Sequence, residues 1–433
     1  MSTKLERIAE IVAKYPNQRL QTLIHHINED TLKEKHKQMP SNKAPGIDGI
    51  TKKEYGENLS ENIQNLVKRL KDQAYKPQPV RRVYIPKIGS DKMRPLGIPA
   101  YEDMLVQGVA AEILNQIYEP EFLDFSYGFR PNRSCHAAIK ALNVIIEHRK
   151  TNYIVDVDIK GFFDNVNHKW MMKFLEHRIQ DKNFLRLITR FLKSGIMEKG
   201  KYLENETGTP QGGLISPILA NVYLHYVIDL WFEHIVKKNL KGECYIVRYA
   251  DDFVCCFQYQ QEANKFYLAL QNRLKKFGLE ISKDKTRIIE FGRFAQENRK
   301  RRGLGKPETF TFLGFTHYCS LSRKGKFRVK RKTNAVKFRA KVAAIKQWLW
   351  KNMHTPTKEL IKKLNIKLQG HYRYYGITDN FKSIETFCYL VRRQLFKTLK
   401  RRSQKSGLTW GLFALTLNVF PLAKPKIHIN IYE

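Results

Sequence analysis

The sequence predicts an α+β chain in which helices build the core and two strands carry the chemistry. Three observations lead there. Apolar residues recur at helical spacing, first as Leu105, Val109, Ile113 and Ile117, then as Ala263, Phe266, Leu270, Leu274 and Phe277. Between those stripes lie two β-like stretches, residues 153–159 and 245–257. Neither an internal repeat nor a low-complexity linker interrupts the chain, so its modules are expected to pack together.

Residues 1–40 are helical in pattern and rich in charge, an N-terminal extension closed by the turn-forming run PSNKAPGIDG at 40–49. Residues 80–98 read as a basic hairpin, with Val83 and Ile85 alternating with Arg82 and Tyr84 before a turn near Gly89, Ser90 and Asp91. The stripe beginning at Ala263 stops at Gly278, a natural helix-ending residue. Further on, Ala335, Phe338, Val342, Ile345 and Leu349 form an apolar face opposite Lys337, Arg339, Lys341 and Lys346. Cys388, Val391, Leu395 and Leu399 repeat the arrangement, backed by Arg392, Arg393 and Lys397. Such helices can pack inward while lining a phosphate track outward.

Charge narrows the partners. The 433 residues hold 78 Lys plus Arg against 41 Asp plus Glu, a net of +37, which points to a polyanion. Residues 321–433 concentrate it, with 27 basic and 4 acidic side chains. A membrane span is not expected: the longest apolar run, 411–422, is short and contains Asn418. The first residues lack a signal-type apolar core, so a cytoplasmic location is expected. None of the six cysteines has zinc-knuckle or redox spacing, and buried free thiols are expected.

Two adjacent acids, Asp251 and Asp252, follow Ile246, Val247, Arg248, Tyr249 and Ala250 and precede Phe253, Val254 and Cys255. Unpaired ionised carboxylates in such surroundings cost several kcal/mol each, and a cation is the usual remedy. Alone, the tetrapeptide is equally a surface turn. A second apolar strand delivers Asp158, 93 residues before Asp251. Three carboxylates converging on one point suit phosphoryl transfer, in which two Mg²⁺ ions activate a 3′-hydroxyl and shield pyrophosphate. Hard oxygen donors without nearby His or Cys favour magnesium.

With these residues in place, the sequence resembles the reverse transcriptases of bacterial group II introns, from about residue 40 to its end. The resemblance implies a right-hand polymerase: fingers and palm over 41–320, a thumb or maturase region over 321–385 and a nucleic-acid-binding C-terminal domain over 386–433. It implies Asp158, Asp251 and Asp252 as catalytic metal ligands, with the Ile159 carbonyl as a further ligand. Phe163, five residues after Asp158, corresponds to an aromatic that excludes a 2′-hydroxyl, and Gln211, within GTPQGGLISPILAN (208–221), faces the incoming nucleotide. Lys87 and Arg94 of the basic hairpin would clamp the triphosphate by charge and fork geometry. Lys285, in GLEISKDKT (278–286), corresponds to a general acid for the leaving pyrophosphate.

The stretch SYGFRPNR at 126–133 is diagnostic of the family, with no role assigned to its individual residues. Phe312, Leu313, Gly314 and Phe315 resemble a primer-gripping turn, and GHYRYYG at 370–376 falls in the thumb. The implied activity is RNA-directed DNA polymerisation from dNTPs, with an RNA template and a DNA or RNA primer. The implied further partners are a folded intron RNA, whose splicing the chain assists, and a DNA target at which that RNA is copied. No Cys/His cluster follows the tail, so the endonuclease of longer relatives is expected to be absent. A splicing-only maturase and a host-adopted enzyme working with a noncoding RNA in antiviral defence or CRISPR adaptation stay open as alternatives.

Overall fold

The computed structural model describes residues 5–15, 18–86, 93–198, 200–204, 206–209, 212–403 and 407–432. The chain forms two compact units. One gathers residues 1–87, 91–138 and 157–288, the other 139–156 and 289–433.

Eleven strands occur among the described residues: β1 (Val80–Pro86), β2 (Met93–Ile98), β3 (Tyr153–Asp158), β4 (Ile196–Glu198), β5 (Lys201–Leu203), β6 (Cys244–Tyr249), β7 (Asp252–Phe257), β8 (Arg287–Glu290), β9 (Phe310–Phe312), β10 (Phe315–Leu321) and β11 (Phe327–Thr333). They form three sheets, ordered β2-β1-β4-β5, β6-β7-β3-β8 and β11-β10-β9. Helices and largely antiparallel sheets make the α+β fold that the apolar periodicities predicted.

In the first unit, β1 and β2 pair antiparallel from Arg81 opposite Ile98 to Pro86 opposite Met93. The turn expected at Gly89, Ser90 and Asp91 lies outside the described residues. The stripe of Leu105, Val109, Ile113 and Ile117 belongs to helix Tyr101–Tyr118, buried along most of its length. Strands β6 and β7 are apolar on both faces: Ile246, Val247, Phe253, Val254 and Phe257 are all buried, so this hairpin sits inside the unit. Helix Gln260–Lys276 covers it with Ala263, Phe266, Leu270 and Leu274, and Gly278 ends it at φ +77°, where the Leu279 N–H returns to the Leu274 carbonyl.

In the second unit, four helices follow the β9–β11 sheet: Ala335–Lys351, Thr357–Tyr375, Phe381–Lys400 and Trp410–Val419. Their core includes Ile345, Leu349, Leu360, Leu364, Val391 and Leu395, with Phe338, Val342 and Cys388 partly buried around it. Helix Phe381–Lys400 runs unbroken through the division placed at 385/386. Leu313 and Gly314, at φ +48° and +84°, form the two-residue loop between β9 and β10, and the Tyr374 hydroxyl donates to the Leu313 carbonyl at 2.9 Å. The GHYRYYG segment thus braces the turn.

None of the cysteines forms a disulfide, but burial is less complete than expected. Cys244, Cys255 and Cys256 are buried, whereas Cys135, Cys319 and Cys388 are only partly buried. No described helix is long and apolar enough to cross a membrane.

Candidate active site

Antiparallel pairing of β6 with β7 ends at Tyr249 opposite Asp252, leaving Ala250 and Asp251 as a two-residue loop. Such loops need left-handed backbone, and Ala250 takes it at φ +56° without being glycine. Asp251 is thereby presented at the tip of a buried hairpin. Its carboxyl is held above the usual carboxylate range, first by burial and then by the charge of Asp158, against the pull of Arg94 and Arg248.

Asp158 closes β3. Its backbone N–H donates to Thr286 Oγ1 at 3.3 Å and its carbonyl accepts from the Ser282 N–H at 2.8 Å, which anchors the strand end on the loop after Gly278. Next to it, Ile159 bridges to Ile281 and the Lys160 N–H donates to the Glu280 carbonyl. This clasp brings Lys285 to the site: its Nζ donates to Asp158 Oδ2 at 2.8 Å.

A cavity of about 730 Å³ collects these residues. Asp158, Ile159, Phe163, Asp251 and Lys285 line it together with Arg94, Gly212 and Gly213. Among the described residues no histidine or cysteine contributes to the wall. Phe163 leaves a 3₁₀ turn, Phe162–Asp164, that follows Gly161 at φ +54°; its neighbour Phe162 is buried against Tyr223. Behind it the Thr209 N–H donates to the Phe163 carbonyl at 2.7 Å, tying the glycine-rich segment to the acidic strand. Gly212 passes so close to β2 that a Cβ there would lie 2.2 Å from the Gly97 carbonyl oxygen. Lys87 and Gln211, named from the sequence for the triphosphate and the incoming nucleotide, lie outside the described residues.

The structure therefore brings Asp158, Asp251, Ile159, Phe163, Arg94 and Lys285 to one cavity. Asp252 is the next residue along the same turn. Among the described residues no three His, Cys, Asp or Glu side chains form a closed cluster able to grip a metal. The charge of Asp158 is balanced instead by Lys285, as like-charged carboxylates at close range demand. The donor chemistry still suits a hard cation: oxygen donors line the cavity, and the Asp251 carboxyl is raised first by burial and then by its acidic neighbour.

Beneath the turn lies a polar network that the sequence reading missed. Arg248 and Asp229 have fully buried side chains. Arg248 Nε donates to Asp229 Oδ1 at 2.7 Å, Nη2 to Asp229 Oδ2 and, at 2.7 Å, to Ser126 Oγ; Nη1 reaches Asn221 Oδ1 at 3.2 Å and the Ala250 carbonyl at 3.1 Å. Burial alone would push the Asp229 carboxyl up, but Arg248 holds it below the usual range. Asp229 reaches Arg248 from a stretch of π-helix, His225–Asp229, whose wider turn is a common device near functional sites.

The same network gives the 126–133 stretch a role. The Tyr127 N–H donates to the Arg248 carbonyl at 2.8 Å, Asn221 Nδ2 donates to the Gly128 carbonyl at 2.7 Å, and a Cβ on Gly128 would stand 2.2 Å from the Ala250 nitrogen. A loop stripped of side chain at Gly128 therefore packs directly against the Asp251 turn. The available signal was an acid, Asp229, inside the apolar run VIDLWF at 227–232.

A hairpin presenting two acids, an acidic strand end beside it and a glycine-rich segment on the cavity wall define a template-directed polymerase. The family model for reverse transcriptase (RNA-dependent DNA polymerase) matches residues 85–317, and the group II intron maturase-specific domain matches residues 337–413. The chain belongs to the group II intron reverse transcriptases and is an RNA-directed DNA polymerase with a maturase domain.

It is 31% identical to the group II intron-encoded protein LtrA of Lactococcus lactis subsp. cremoris, over 88% of this chain and 73% of that one. It is also 31% identical to protein YkfC of Escherichia coli strain K12, over 81% of this chain and 97% of that one. A 91 kDa protein in the cob intron of Schizosaccharomyces pombe is 32% identical over 55% of this chain and 29% of its own length. The maturase match and the intron-encoded relatives favour an intron role over a host-adopted one.

Proposed function

We propose that the cavity bounded by Arg94 and the two acidic strands is where a deoxynucleotide joins a primer 3′-hydroxyl, with Asp158, Asp251, Asp252 and the Ile159 carbonyl holding two Mg²⁺ ions. The observation that carries this reading is that Asp158 and Asp251, 93 residues apart, line one cavity, where the charge of Asp158 is felt by the Asp251 carboxyl. Bound Mg²⁺ would favour the ionised 3′-hydroxyl and shield charge on the departing pyrophosphate.

The chain's own groups supply the rest. Arg94, with Lys87 as its partner on the same hairpin, orients the triphosphate through its planar fork. Phe163, whose backbone is pinned by Thr209, forms the wall against which a ribose 2′-hydroxyl would clash. Gln211 faces the base. Lys285 gives its proton to the pyrophosphate oxygen, a role supported by its hydrogen bond to Asp158 in the same cavity.

On the same reading, residues 41–320 act as fingers and palm, and the basic helices after them hold the template–primer duplex and a folded intron RNA. The chain assists splicing of that RNA and copies it at a DNA target. Primer extension on an RNA template with Mg²⁺ tests the site: Asp251→Ala with Asp252→Ala is expected to abolish synthesis, and equal synthesis by both proteins would overturn the assignment. Intron excision by that double variant is expected to survive, because RNA gripping uses the basic face. Loss of splicing in a folded double variant would refute the separation of the two tasks.

A further inference from the structure

Far along the chain from the acidic strands, helices Ala335–Lys351 and Phe381–Lys400 run side by side in the same direction. Phe338 and Phe387 meet edge to face near their starts, with centroids 5.9 Å apart. Toward their ends the seam opens into a cleft of about 500 Å³. Lys346, Trp350 and Lys351 line one side, and Lys397, Thr398 and Arg401 the other.

Three features of this cleft call for a ligand. Trp350 lines the cleft and is 56% exposed although it is the largest side-chain type. The Arg401 guanidinium lies 5.6 Å from the Trp350 ring centroid, so a planar cation and an indole flank the same space. Among the described residues no acidic side chain pairs with Lys346, Lys351, Lys397 or Arg401, which leaves four cationic groups facing one opening. Of the lining residues Thr398 is buried, and on the same two helices Leu349 and Leu395 are buried in the core.

We propose that this cleft binds one unpaired nucleotide of RNA, its base stacked on Trp350 and its flanking phosphates held by Lys346, Lys351, Lys397 and Arg401. A paired base has no free face to offer the indole, whereas a bulged or looped-out base does, and base–aromatic stacking tolerates any base identity. The volume suits a single nucleotide and excludes a duplex. Cations without a stacking surface would grip any nucleic acid; the exposed indole between them selects strands with a base turned out. The inference rests on the chain's being an RNA-handling protein, and it refines where the basic helices hold that RNA.

Binding of the full chain to two labelled hairpin RNAs, identical except for a single bulged adenosine, tests it without Mg²⁺ or dNTPs, so failure would not touch the polymerase assignment. Wild type is expected to prefer the bulged RNA by on the order of tenfold, with quenching of tryptophan fluorescence on binding. Trp350→Ala is expected to remove both the preference and that quenching while unfolding at the wild-type temperature, since the side chain is largely exposed. Trp350→Phe should restore most of the preference. Lys397→Ala with Arg401→Ala should weaken binding and flatten its salt dependence. A parallel pair of DNA hairpins identifies which strand type is taken: the proposal requires the larger preference on RNA. Wild-type discrimination by Trp350→Ala, an equal loss on bulged and fully paired RNA, or a preference confined to DNA would each overturn it.

Discussion

Replacing Arg248 by methionine should detach the Asp251 turn from the body of the first unit. The guanidinium is wholly buried and is the counter-charge of Asp229, so its removal leaves an ionised carboxylate in an apolar interior. Breaking a buried pair from one side costs about 3–5 kcal/mol. It also removes the donor that holds the Ala250 carbonyl at 3.1 Å in a left-handed turn that alanine does not favour. Hydrogen exchange over residues 244–257 measures that loss locally, and Arg248→Met should accelerate it on the order of 100-fold or more.

A second change separates stability from geometry. Adding Asp229→Leu to Arg248→Met makes the buried pair apolar, which is neutral or stabilising when shapes match. Exchange should therefore return toward wild type. Primer extension should not: the turn remains untethered, and a displacement on the order of 1 Å at a reacting group costs about 100-fold in rate. Wild-type exchange and extension by Arg248→Met would refute the tether. Recovery of both properties in the double variant would show that the pair contributes stability alone.

Three further outcomes follow, two from the site and one from the fold. Lys285→Ala should slow single-nucleotide incorporation by about 100-fold or more while template–primer affinity holds, measured by rapid quench. Phe163→Ala should admit ribonucleotides, seen as extension with ATP in place of dATP on an oligo(U) template. Asp103 gives a pH test of the fold. Buried beside Tyr75, with the Gln78 N–H donating at 2.9 Å, its carboxyl is raised to about 7, first by burial. The folded chain thus keeps a proton that the unfolded chain releases near pH 4. That contribution to stability is complete below about pH 4 and fades as pH climbs through 7. Urea midpoints of wild type should fall between pH 5.5 and 8 relative to those of Asp103→Asn, and parallel curves would contradict it.

What could be read in advance followed from periodicity and from charge in the wrong place. Ala263, Phe266, Leu270 and Leu274 repeat at helical spacing because one face alone is buried, and Asp251 and Asp252 stand out because apolar strand residues surround them. Strands β4 and β5 were invisible, since three residues each are too few to show alternation and β4 is set by parallel pairing with β1 from far away in the chain. Arg248 was hidden for a related reason. In a strand, an arginine beside a tyrosine reads as a solvent-facing residue, and its partner Asp229 comes from a π-helical turn that no apolar period announces. The pairing of Lys285 with Asp158 likewise depends on the clasp between Ile159 and Ile281, a long-range contact.

Polymerisation at this cavity requires that carboxylates from separate strands share divalent cations. Crystals of the full chain with template, primer, Mn²⁺ and a non-hydrolysable dNTP analogue, measured for manganese anomalous scattering, test it most directly. Two peaks bonded to oxygens of Asp158, Asp251 and Asp252, with Lys285 drawn from Asp158 toward the triphosphate, are the predicted result. A bound nucleotide with no peak at these carboxylates, and Lys285 still on Asp158, would contradict it.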